Sequence, residues 1–83
     1  MKTPKLIENA LASLYEAIDE LNAKRNELWA ASDAAKAAGD DWVPANHAGN
    51  SVDAAAAVLK TYVDGLKTNI SYIPRMIEKH KLN

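Results

Sequence analysis

Residues 39–50 read GDDWVPANHAGN, and the fold turns on whether this stretch is a loop or part of a helix. A glycine, paired aspartates, a proline and a closing Gly-Asn pair all belong to turn chemistry. Read so, the stretch is a twelve-residue connection between two long helices. Helical hairpins are usually joined by about 2–8 residues, so a connection this long points to a working surface. Asp40, Asp41, Trp42, Val43 and His47 are therefore the candidate partner-binding loop. Trp42 is expected to fold back onto the helix ends, because its indole is the large apolar group available to offset the ordering of the loop. Val43, Pro44 and His47 would then face solvent.

Upstream of this stretch, Thr3 suits an N-cap and Pro4 the first helical position. From there Ile7, Leu11, Leu14, Ile18, Leu21, Arg25, Leu28, Ser32 and Ala35 follow alternating steps of four and three. That spacing predicts a helix over residues 4–38, about 50 Å long, with Gly39 as its stop. Arg25 and Ser32 are polar positions in an otherwise apolar seam. Such positions set register more often than they bind ligands. A hairpin turning about the middle of the long connection would bring Arg25 level with Asp64.

Downstream, Ser51 is the expected N-cap of a second helix, with Asp53 in its first turn. Val52, Ala56, Leu59, Val63, Leu66, Ile70 and Ile73 repeat the four-three spacing over residues 51–73. Gly65 falls on the outer side. Pro74 cannot donate to the Ile70 carbonyl, so a kink or a break with a short third helix follows, the break being the favoured form.

Both seams are flanked by further apolar residues: Ala10, Ala17, Ala31 and Ala38 with Tyr15 and Trp29 on the first helix, and Ala55, Tyr62 and Met76 on the second. Faces that wide belong to a bundle rather than a two-stranded zipper. The expected fold is all-α, a long antiparallel hairpin that pairs with a second copy into a four-helix bundle. Leu11, Leu14, Ile18, Leu21, Leu66, Ile70, Ile73 and Ile77 are the expected oligomer interface. Alanine-rich ends beside the connection predict close packing there, with the far end wedged open.

Composition narrows the function. The 83 residues suffice for one domain, and cysteine is absent, so neither disulfides nor thiolate metal sites contribute. Ten basic and eleven acidic residues leave a formal charge of −1, which gives no overall field for a polyanion. Arg75, Lys79 and Lys81, with Lys2 and Lys5, form only a modest basic cluster, so nucleic-acid binding is unlikely by charge. No apolar run reaches the roughly 20 residues of a membrane span, and the N-terminus lacks a signal-peptide pattern. A free-standing cytoplasmic chain is the expectation.

Catalytic signatures are lacking: no nucleophile elbow, no phosphate loop, no cysteine nucleophile. The Glu16–Glu20 pair lies on the outer face of its helix, the usual place for solvated charge. His47 with Asp40 or Asp41, and His80, lack metal-ligand spacing. No enzyme activity, cofactor or metal is expected. The leading expectation is a small protein-binding module, an adaptor or an inhibitor that occludes a larger protein, of the kind phage and mobile elements carry. The alternatives are a self-assembling subunit and a nucleic-acid-associated dimer.

Overall fold

The computed structural model describes residues 4–80. They form three helices in chain order: α1 (Lys5–Ala38), α2 (Val43–Ser71) and α3 (Ile73–His80). The first two pack antiparallel as a hairpin. Pro4 takes the N-cap position of α1, one residue earlier than a first-turn proline, and its carbonyl accepts from the amides of Ile7 (3.0 Å) and Glu8 (3.1 Å). Thr3, the expected cap, lies outside the described residues. Glu8 in the first turn and Lys36 in the last complement the helix dipole.

Gly39 ends α1 as expected, with φ 77° and ψ 14°. Its amide donates to the Lys36 carbonyl and the Asp40 amide to that of Ala35, the paired bonds of a Schellman cap. A side chain would strain this left-handed backbone, which glycine adopts at no steric cost.

The long connection does not exist. α2 begins at Val43, not at Ser51, and only residues 39–42 join the helices. The Asp41 carboxylate accepts from the Val43 amide (3.1 Å), and Pro44 sits in the first turn, where a missing N–H costs nothing. The Asn46 amide then donates to the Trp42 carbonyl (3.1 Å). Gly49 and Asn50, which resemble turn residues, lie in the second turn of α2. Packing selects that glycine: it is buried, and a Cβ built there would overlap the Trp29 indole.

The shorter turn slides α2 along α1. Arg25 therefore meets Asp53, at 2.9 Å, rather than Asp64, and Tyr15 is the residue that reaches Asp64. Trp29 stands opposite Gly49 and Asn50. Continuing this register brings Ser13 level with Gly65.

At Pro74 the chain kinks rather than breaks. Tyr72 alone separates α2 from α3, and its φ −80° and ψ −17° remain right-handed helical. Its amide donates to the Asn69 carbonyl (3.2 Å), and its carbonyl accepts from Met76 (2.9 Å). The cause is the Ile70 carbonyl, which proline cannot serve. Beyond the kink α3 runs on from α2, with no backbone neighbour on α1 among the described residues.

A hairpin measuring 67 × 17 × 12 Å encloses little. Ile18, Ala56 and Val63 are the buried apolar residues. Ser32 is buried near the turn and donates its hydroxyl to the Trp42 carbonyl (3.2 Å), which ties the turn to α1.

Candidate protein-docking surface

Residues flanking the seam divide the hairpin into two long faces, because positions three and four apart share one side of a helix. One face is polar. There the Tyr15 hydroxyl donates to Asp64, Arg25 Nη1 donates to Asp53, and Trp29 Nε1 donates to Asn50 (3.1 Å). Lys60 donates to the second oxygen of Asp64 (2.8 Å), and Lys67 lies over the Tyr15 ring at 5.7 Å. Arg25 also stacks on the Trp29 ring, 5.1 Å from its centre. Every side-chain hydrogen bond described between α1 and α2 belongs to this face.

These contacts shift two titrations. The Asp64 carboxyl is held below its usual range, first by the Lys60 ammonium and then by the Tyr15 hydroxyl. The Tyr15 hydroxyl is raised in turn, chiefly by donating to Asp64.

The opposite face is apolar and open. Along α2 and α3, Ala55, Val58, Tyr62, Gly65, Asn69, Tyr72 and Met76 continue a second four-three row beside the buried one, and none is charged. Val58 is 71% exposed and Tyr62 69%, values far above those of a satisfied core side chain. With Ala57 and Thr61 they line a shallow groove. On α1 the same face carries the exposed Leu6 and the small Ala10, Ser13 and Ala17, and then turns charged at Glu20, Lys24 and Glu27, where Lys24 pairs with Glu27 (3.4 Å).

The residues expected in the long connection are dispersed. Asp40 is exposed in the turn, Asp41 caps α2, and Val43 and His47 are exposed in its first two turns. Trp42 is half-buried and lies back against α1, with Lys36 4.3 Å from its ring centre. A second indole, Trp29, is seated on Gly49. Of the expected oligomer residues, Ile18 is buried between α1 and α2, Leu11, Leu14, Leu21, Leu66 and Ile70 are half-buried along the same seam, and Ile77 is half-buried on α3. Ile73 is exposed.

Tyr62 and Met76 were legible as flanking apolar residues. Val58 was not singled out, although the second four-three row passes through it. The chain matches no protein-family model, no curated protein and no solved structure.

Proposed function

We propose that the protein is a small non-catalytic protein-binding module, an adaptor or an inhibitor that occludes a larger protein, and that its open apolar face is the docking surface. The exposure of Val58 (71%) and Tyr62 (69%), side by side along an uncharged row, carries this reading. Contiguous exposed apolar side chains are characteristic of docking sites. No helix among the described residues is long and apolar enough to cross a membrane. A cytoplasmic location accompanies the proposal.

Replacing Val58 and Tyr62 together by aspartate tests it. The wild-type chain is expected to capture a defined protein from its host's lysate, identified by mass spectrometry, and the double variant to lose it at unchanged helicity. Capture of the same proteins by both would sink the reading. A self-assembling subunit is the second reading, favoured by α3, which has no backbone neighbour on α1 and leaves Ile73 and Met76 exposed. Light scattering over a concentration series separates the two, since a module stops at a defined mass and a filament does not.

A further inference from the structure

α2 carries four carboxylate and ammonium groups, and all of them are committed to the polar face. Asp53 accepts from Arg25, Asp64 accepts from Tyr15 and Lys60, and Lys67 lies over the Tyr15 ring. The rest of the exposed helix, through Ala54, Val58, Thr61, Tyr62, Gly65 and Asn69, bears no charge. A helix face left to water ordinarily carries charged residues, which keep their hydration there. Their absence suits a face that another element covers, where an unpaired charge would lose that hydration.

The α1 border of the open face is different. Glu16, Glu20, Lys24 and Glu27 run along it, three carboxylates against one ammonium, and Lys24 pairs with Glu27. The other ion pairs among the described residues join Lys5 to Glu8, Arg25 to Asp53 and Lys60 to Asp64, so Glu16 and Glu20 have no cationic partner there. The register that sets Arg25 against Asp53 and Tyr15 against Asp64 puts Glu20 level with Val58 and Glu16 level with Tyr62. Two exposed apolar side chains therefore stand at the same height as two unpaired carboxylates. We infer that the occupant of this face is an amphipathic helix of another protein, with an apolar stripe turned to Val58 and Tyr62 and lysine or arginine along the border that meets Glu16 and Glu20. The inference rests on the reading of this face as a protein-docking surface and names the chemistry of its partner.

The shape and the charge of the face both select this occupant. Two antiparallel helices form a straight furrow, and a third helix laid along it packs its ridges into their grooves to complete a three-helix bundle. The two borders of that helix meet different ground. On the α2 side lie Thr61 and Thr68, which call for no charge. On the α1 side Glu16 and Glu20 lose water as the helix settles, and a cation there replaces that hydration. An acidic border would instead set like charges together, which excludes such helices. Lysine and arginine also bring an apolar stem, which covers the ground between the Tyr62 ring and the carboxylates.

Two synthetic helices of about 20 residues, long enough to run beside Ala55 through Tyr72 at 1.5 Å per residue, test the inference against the full chain. They share one leucine stripe; along one border the first bears lysine and the second glutamate. Titration calorimetry is expected to show the lysine-bordered peptide binding about tenfold tighter, with the gap closing at high salt. Glu16→Gln with Glu20→Gln should remove the preference, and Glu16→Lys with Glu20→Lys should reverse it, both at unchanged helicity. Asp33→Lys, four residues from Trp29 and so on the other side of α1, should leave it intact. Equal binding of the two peptides, a preference that survives the glutamine pair, or one that Asp33→Lys also removes would overturn the cationic border. If the Val58 and Tyr62 double variant releases the peptides in that event, the docking face stands and only its partner's charge is refuted. Binding of neither peptide would overturn the helix as occupant. The docking face falls with it only if the double variant also keeps every protein that the wild type captures.

Discussion

On one face of the hairpin Tyr15, Arg25 and Trp29 each reach across to a polar partner on α2, while the other face shows Val58, Tyr62 and Met76 to water. The same two helices build both, so the difference lies in what each face is for. Partly exposed polar pairs contribute about 0.2–1 kcal/mol apiece, too little to hold a hairpin together. They are directional, however, and wrong registers leave them unpaired, so the polar face selects how α2 lies on α1. Full burial of a valine-sized or larger apolar side chain contributes about 1.5–3 kcal/mol. The open face therefore holds more unrealised stabilisation than the polar face supplies.

Severing the seam between the faces should have the largest effect. Ile18 is 3% exposed, and Ile18→Asp would place an unpaired charge among Ala56, Val63 and their neighbours. A cost of about 3–5 kcal/mol is expected. That equals the whole supply of a core of this size, so circular dichroism should show an unfolded chain at room temperature. A helical Ile18→Asp variant would mean that the helices are held by something other than this seam.

The seam was readable because its spacing repeats over many turns and is interrupted only by Gly39 and Pro74, whose effects are local and follow from their own backbone limits. Residues 43–50 were misread for a physical reason. Asp41 and Pro44 serve a turn and a helix start equally well. Gly49 is a glycine within the helix, and not a turn residue, because Trp29, twenty residues earlier, occupies the space a Cβ would need. No local rule contains that contact. The resulting shift carried Arg25 from Asp64 to Asp53. The open apolar face was half legible: its apolar width was visible in the sequence, but the side of the helices it occupies depends on the register.

Identical substitutions at two glycines sharpen the comparison next. Gly49→Ala should destabilise by about 1–3 kcal/mol, since its Cβ must displace the Trp29 indole. Gly65→Ala should raise the helix-forming tendency of the isolated chain by about 1 kcal/mol, because nothing there obstructs it. Denaturation at concentrations low enough to keep the chain monomeric reads both. Equal signs would remove the distinction between a glycine packed inside the hairpin and one that faces open space.

A smaller effect is expected from the register contact. Arg25→Ala should cost about 0.5–1 kcal/mol, within the range for a partly exposed pair, with some packing against Trp29 lost as well. The Arg25→Ala, Asp53→Ala double-mutant cycle isolates the pair. Additive losses would show that Arg25 acts only through Trp29.

The smallest effect lies in pH, and its sign follows from Tyr15 and Asp64. Asp64 titrates below its unfolded value, so its contribution is complete above the ordinary carboxyl range and fades as pH falls through its depressed folded pKa. Tyr15 titrates above its unfolded value of 10.0, so its contribution is complete below that value and fades as pH rises through the raised one. Between these limits the pair should be indifferent to pH. Tyr15→Phe removes the donor, and should therefore flatten the alkaline decline of the denaturation midpoint. The acid decline should shrink less, because the Lys60 ammonium, the larger influence on Asp64, is still present. An alkaline limb that is unchanged in Tyr15→Phe would show that the hydroxyl does not hold α1 to α2, and would leave Arg25 and Trp29 as the only side chains fixing the register.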